Sequence, residues 1–289
     1  TILEDIEEIV KPSSQTDPTF QSTRIYTPLT AGEIRRRLSN LTQYKDKKLP
    51  CERTIRNLLS DELDIHQKRV AKVKPLKKIP ETNAIFGEVK RINTEADQDP
   101  TQLRISLDSK AVVKIGNFSR GGTSLQEQKA LDHDFKANEQ LTPFGIFLPK
   151  TDENFFWFST SKVTADFMVD RLEELWPTLM ERCPEIQTLV INADNRPECS
   201  GQRTQWLKRM VDFSNTYDIT IQLAYYPPYH SKYNPIERCW GVLENHWRGE
   251  LLNSVEKTLG LARSMTYNAI SPMVHLVEQV YQSGVTIAK

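Results

Sequence analysis

Three acidic residues in this chain stand where their carboxylates could do chemistry. Asp108 closes the alternating run Leu103-Arg104-Ile105-Ser106-Leu107, and Asp194 closes the apolar run Thr188-Leu189-Val190-Ile191-Asn192-Ala193. Glu237 falls in the first turn of a helix opened by Asn234-Pro235. An unpaired buried charge is costly, so an aspartate at the exit of a buried strand rarely serves packing. Three carboxylates meeting at one sheet edge would repel one another unless cations neutralised them. Hard oxygen ligands of this kind suit magnesium or manganese, which keep positions open for water and phosphate oxygens. Two such ions can activate an attacking hydroxyl and stabilise the leaving oxygen in phosphodiester transfer. Each residue also has a plainer reading. Asp108 and Asp194 could be turn or cap residues, and Asn-x-x-Glu is close to a capping box in which Glu237 reaches back to the cap's own N–H.

The surrounding elements must bring these residues together. Leu103 to Asp108 alternates with period two and predicts a strand, and a second β run follows in Ala111 to Ile115. Phe144 to Leu148 and Phe155 to Ser159 predict two more strands, joined by a turn at Lys150–Asn154. Thr164 to Trp176 reads as an amphipathic helix stopped by Pro177. Thr188 to Ala193 is apolar on successive residues, as in a strand covered on both faces. A helix over Gln202 to Tyr217 and a strand over Ile219 to Leu223 come next. Tyr226-Pro227-Pro228 then ends the ladder, because proline has no N–H to donate. Asn234 as cap and Pro235 as first residue start the helix that carries Glu237. Its apolar stripe is Ile236, Trp240, Leu243 and Trp247, in which the tryptophans read as core. Hairpin strands first and strand–helix alternation later predict a mixed α/β sheet with helical layers.

The N-terminal part differs in charge. Overall the chain balances 38 Lys/Arg against 38 Asp/Glu, but Arg24 to Lys78 holds fifteen Lys/Arg against six Asp/Glu. A basic segment beside an acidic body is the footprint of a phosphate-binding module. Ile2 to Val10 predicts a short amphipathic helix, and Thr30-Ala31-Gly32-Glu33 is a capping box opening a helix through Leu38. Cys51 to Leu59 forms a second helix bearing Arg53 and Arg56. Two short helices split by a turn suit a helix-turn-helix whose second member enters a DNA groove, although many helical hairpins share that pattern. The following run places Lys68, Arg69, Lys72, Lys74, Lys77 and Lys78 where they could track phosphates. His230, Ser231 and Lys232 lie shortly before Glu237, where a cation could meet a phosphate, with loop packing as the alternative. Lys110 and Arg120 are weaker backbone candidates, and His133 is read as a surface residue. Four scattered cysteines without a C-x-x-C pair exclude a zinc ribbon and suit a reducing compartment. No apolar run reaches membrane-spanning length, so no membrane partner is expected.

Leu107-Asp108, Ala193-Asp194-Asn195 and Pro227-Pro228-Tyr229-His230-Ser231-Lys232-Tyr233-Asn234-Pro235-Ile236-Glu237 resemble the Asp, Asp, Glu signature of DDE transposases. The likeness is to the mariner-related insertion-sequence group, and most specifically to the Rhodopirellula-type transposases. Gly116-Asn117-Phe118, His133-Asp134-Phe135, Pro143-Phe144-Gly145-Ile146 and Asn245-His246-Trp247-Arg248-Gly249 add to it, over residues 103 to about 252. The resemblance implies a ribonuclease-H-like five-stranded mixed sheet with helices on both faces. It implies that Asp108, Asp194 and Glu237 are catalytic and bind two magnesium ions, with manganese able to substitute. It also implies cleavage at transposon ends and joining of a 3′ hydroxyl to target DNA. Double-stranded DNA is then the partner, as terminal inverted repeats and as target, with a homodimer or larger assembly in the complex. A bacterial, cytoplasmic, nucleoid-associated setting goes with it. The expected layout is a helix-turn-helix arm and basic linker over 1–80, a linking helix over 81–100, and a catalytic domain with C-terminal helices over 101–289. The segment Asn195-Arg196-Pro197-Glu198-Cys199 departs from the family's glycine-rich pattern and is stiffer. A nuclease using the same site, and a non-catalytic DNA-binding relative, are the rival functions.

Overall fold

The computed structural model describes residues 1–16, 25–45, 47–66, 79–122, 129–131, 137, 139–228 and 230–285. The chain divides into two compact units, residues 1–74 and 75–289. In the first, helices α1 (Ile2–Val10), α2 (Ala31–Asn40) and α3 (Glu52–Asn57) pool Ile6, Val10, Ile34, Leu38 and Ile55 into one core. A π-helical turn, Leu58–Glu62, continues α3 and adds Leu59 to that core. Thr30 caps α2 by accepting the Glu33 N–H at 3.1 Å. The Glu33 carboxylate is held instead by Arg36 and Arg37, so only half of the expected capping box forms. Three two-residue strands, β1 (Gln15–Thr16), β2 (Ile25–Tyr26) and β3 (Ile65–His66), pair in the order β1-β2-β3. Arg53 and Arg56 are exposed on α3. Lys68, Arg69, Lys72, Lys74, Lys77, Lys78 and His133 lie outside the described residues.

The second unit opens with α4 (Thr82–Gln98), whose Ile92 and Ala96 pack on Val190 and Ala224 of the sheet. The alternation of Leu103, Ile105 and Leu107 with Arg104, Ser106 and Asp108 then becomes the central strand β4 (Gln102–Ser109). It is followed by β5 (Val113–Ile115), β6 (Glu139–Leu148), β7 (Glu153–Ser159), α5 (Ala165–Arg182) and β8 (Thr188–Ala193). Next come α6 (Thr204–Tyr217), β9 (Thr220–Tyr225), α7 (Ile236–Trp247), α8 (Val255–Ser264) and β10 (Met273–Val277). The sheet runs β10-β7-β6-β4-β8-β9, with β5 paired to β6 off this path. β6 lies antiparallel between β7 and β4, whereas β8 and β9 run parallel to β4. The five strands from β7 to β9 are the expected mixed sheet, and β10 extends it in parallel beside β7.

Period two gives the sheet two different faces. Leu103, Ile105 and Leu107 join Leu189 and Ile191 under α5 and α6. On the opposite face Phe147, Phe156 and Phe158 meet Ile236, Trp240, Leu243 and Trp247 of α7. Trp240 stacks on Phe156 with ring centroids 4.7 Å apart, so both tryptophans of the stripe are core, as expected.

Two expectations are corrected here. Pro177 does not stop its helix, since α5 runs through it to Arg182. A proline costs one backbone hydrogen bond, which the burial of Leu175, Trp176 and Leu179 on either side offsets. The chain also does not end in helices alone. Met273-Val274-His275-Leu276-Val277 alternates, and its buried Val274 and Val277 seat it as an edge strand. Among the described residues, no helix is long and apolar enough to cross a membrane.

Candidate active site

Side chains two apart on β4 share a face, so Ser106 and Asp108 both point to the side covered by α7. Ser106 donates its hydroxyl to Asn234 Oδ1 at 2.5 Å and accepts the Ile236 N–H at 3.1 Å. Asn234 Nδ2 donates to the Leu107 carbonyl at 2.9 Å. This buried clamp fixes the first turn of α7 against the middle of β4, one residue short of Asp108. It also changes the reading of Asn234, whose side chain does not cap its own helix. The Asn234 N–H goes to the Ser231 carbonyl, so the capping-box role for Glu237 has no donor to use. Glu237 is left half-buried in the first turn, acting electrostatically on Asp108.

Asp194 follows the last residue of β8, the strand parallel and adjacent to β4, so both aspartates leave the sheet at the same edge. Between them lies Arg196. Its Nε donates to Asp194 Oδ2 at 2.5 Å, one terminal nitrogen donates to the Ser109 carbonyl at 2.6 Å, and the other stands 3.3 Å from Asp108 Oδ1. Asp108 is only 3 % exposed, and Oδ1 has no hydrogen-bond partner. Burial pushes its pKa up to about 8, against the opposing pull of Arg196 and with a further push from Asp194 and Glu237. Asp194 is raised as well, again chiefly by burial.

The loop carrying Arg196 is pinned. The Cys199 thiol donates to the Asp194 carbonyl, the Cys199 N–H to the Arg196 carbonyl, and the Gly201 N–H to Asn195 Oδ1. Tyr225 of β9 donates its hydroxyl to the Cys199 carbonyl while accepting the Trp206 indole N–H of α6. A cavity of about 250 Å³, lined by Asp194, Asn195, Arg196, Pro227, Pro228 and Ser231, opens beside Asp194.

Among the described residues, no three His, Cys, Asp or Glu side chains are gathered closely enough to hold one metal ion. Without metal, like-charged carboxylates have no reason to close up, and the Arg196 guanidinium stands between two of them. The donor set nevertheless fits a divalent cation. It is all oxygen and acidic, and it includes a buried carboxylate oxygen that accepts no hydrogen bond.

The other site candidates divide. His230 is buried, its Nδ1 sits 2.7 Å from the Pro228 carbonyl, and its ring packs edge-on to Phe86. Those are the contacts that the loop-packing alternative describes. Lys232 is exposed, with its ammonium over the Tyr233 ring. Lys110 and Arg120 are both paired to Glu244 of α7, and Arg120 also lies over the Trp247 ring, so they brace the helix. Sequence reasoning missed Arg196, Ser106 and Gly145. Gly145 pairs across from Asp108, and a Cβ there would come within 2.7 Å of Ile236 and 2.8 Å of Trp240. Its missing side chain is what lets α7 lie close on the sheet. Gly145→Ala is expected to cost about 1–3 kcal/mol of stability by overpacking, read as a lowered urea midpoint with an unchanged slope.

An antiparallel β7-β6-β4 meander continued by parallel β8 and β9, flanked by helices, is the ribonuclease-H-like fold. The family model described as "Rhodopirellula transposase DDE domain" matches residues 5–289, and the chain belongs to this family of DDE transposases. Among solved structures, a Mos1 transposase paired-end complex with left transposon end aligns at 11% identity and a TM-score of 0.49, over 79% of this chain and 64% of that one. A pre-cleavage Mos1 transpososome aligns at 12% identity and a TM-score of 0.44, over 80% of this chain and 84% of that one. This chain thus spans somewhat less than two thirds of the first of these. No curated protein matches it.

Proposed function

We propose that this protein cleaves DNA at the ends of a mobile element and joins the resulting 3′ hydroxyls to target DNA, using Asp108, Asp194 and Glu237. The observation that carries the reading is the buried, unsatisfied Asp108 oxygen beside Asp194 at one edge of the sheet, with Glu237 on the helix clamped against it. Magnesium or manganese held by these three residues would lower the pKa of an attacking hydroxyl and stabilise the leaving oxygen. The protein's own part is positional. β4 and β8 deliver two carboxylates in fixed register, the Ser106–Asn234 clamp delivers the third, and the buried surroundings strengthen every charge interaction there.

DNA is the substrate in this reading. The N-terminal unit serves as the helix-turn-helix grip, with Arg53 and Arg56 on the exposed face of α3 as its base- or phosphate-contacting residues. Lys232 lies on the approach to Glu237. Action on two element ends at once calls for two copies of the chain.

The test supplies pre-cut element ends, target duplex and magnesium, and resolves the products on a denaturing gel. Joined product is the expected result. Hydrolysed fragments without joining would instead identify a nuclease, and binding without either product a non-catalytic DNA-binding protein.

A further inference from the structure

All three nitrogens of the Arg196 guanidinium are directed at the end of β4 and the residue after β8. They face Asp194 Oδ2, the Ser109 carbonyl and Asp108 Oδ1. The guanidinium therefore occupies the ground between the two aspartates that a divalent cation would need. Its fit is incomplete. Asp108 Oδ1 stays without a hydrogen bond although a terminal nitrogen is 3.3 Å away. One positive charge is set against three acidic side chains, counting Glu237, whose field also reaches Arg196. The Arg196 side chain is still 37% exposed, and the adjoining cavity gives it somewhere to go. Bonds from Asn195 and Cys199 hold the backbone of its loop, so the displacement is one of the side chain.

We propose that Arg196 is a resident counter-ion that competes with divalent metal for Asp108 and Asp194, so that metal binds only as the guanidinium leaves. The proposal rests on the reading of those two aspartates as metal ligands. In the metal-free protein Arg196 stands against two acidic side chains that would otherwise be buried without a partner. A divalent ion brings twice the charge to the same oxygens and can approach them more closely than a planar guanidinium. Exchange is then favourable, but the affinity is reduced by whatever the guanidinium contributes. Arg196 thereby makes the site stable when empty at the expense of metal affinity.

Titration calorimetry of the 289-residue chain with manganese alone, without DNA, tests this. Arg196→Gln is expected to bind manganese at least about tenfold more tightly than wild type, because one repelling positive charge has gone. It should also unfold at a lower temperature without metal and gain more from added manganese than wild type does. Equal or weaker binding by Arg196→Gln overturns the proposal. An Asp108→Asn/Asp194→Asn protein that binds manganese as wild type does would instead sink the ligand assignment, a separable outcome. A measurement on the wild-type side chain covers the case in which the variant does not fold. The Arg196 Nε–H, followed by nitrogen-15 NMR, should exchange slowly without metal and markedly faster with saturating magnesium. An exchange rate that magnesium leaves unchanged contradicts displacement.

Discussion

Asp108→Asn is expected to abolish DNA joining and, in the same protein, to stabilise the metal-free fold. The two effects share one cause. Asp108 is buried beyond the reach of water, and its oxygen facing Arg196 accepts no hydrogen bond. Burial raises its pKa from 3.8 to about 8. The sign follows from proton counting. Between those two values the folded chain holds a proton on Asp108 that the unfolded chain has lost, so rising pH favours unfolding. The penalty begins near the unfolded value, grows through neutrality and is complete once pH passes about 8. Asparagine has the same shape and no proton to lose. The variant should therefore gain on wild type as pH rises, reaching a few kcal/mol at pH 9, an order of magnitude set by about 1.4 kcal/mol per pKa unit. Urea unfolding with chelator present, at intervals from pH 5 to pH 9, measures it. Curves for the two proteins that stay parallel across that range would contradict the burial of an ionising group. Joining should fall at least about a thousandfold, since a metal at this position contributes several kcal/mol of transition-state stabilisation. Greater stability with lost activity separates a ligand residue from a structural one, whose removal lowers both.

The aspartates were legible in sequence because strands announce their ends. Strict alternation through Leu103, Ile105 and Leu107, and the apolar run before Asp194, each fix where the strand leaves the core, and a carboxylate placed there stands out. The apolar stripe of α7 was legible for the same reason, with its tryptophans correctly read as core. What could not be read were relations carried by side chains across the sheet. Asn234 before Pro235 has the local pattern of a helix cap, yet it bonds Ser106, 128 positions away in the chain. Only a known strand order could have paired them. Arg196 lies two residues after Asp194, and sequence weighed that loop for its stiffness rather than its charge. Pro177 follows a sound local rule that the packing of Trp176 and Leu179 overrides. β10 is five residues long, too short for its alternation to compete with the helical pattern before it.

Asn234→Ala is expected to be strongly destabilising and to slow joining more than it weakens DNA binding. The substitution removes an acceptor from the Ser106 hydroxyl and a donor from the Leu107 carbonyl. Both partners are buried, so water does not replace what is lost, and each group stranded in this way costs about 1–3 kcal/mol. A total of roughly 2–6 kcal/mol follows, which for a unit of this size lowers the melting temperature by about 2–4 °C per kcal/mol. Ser106→Ala strands a comparable pair, Asn234 Oδ1 and the Ile236 N–H, while Asn234 keeps its bond to Leu107. Since the two side chains share a hydrogen bond, the double variant should be less destabilised than the two single changes added together. Additive costs would mean that the clamp does not act as a unit. The functional consequence runs through the Ile236 N–H, which Ser106 accepts at 3.1 Å. Asn234→Ala removes two of the three bonds that tie the first turn of α7 to β4 and leaves the Ile236–Ser106 bond alone to hold it, so Glu237 drifts from Asp108. A displacement of about 1 Å at a reacting centre can cost on the order of a hundredfold in rate, whereas the DNA grip assigned to the N-terminal unit is untouched. Single-turnover joining at saturating DNA, run below the variant's lowered melting temperature, should therefore fall while the DNA dissociation constant holds. A variant that loses stability but joins DNA at the wild-type rate would show that Glu237 finds its place without this clamp.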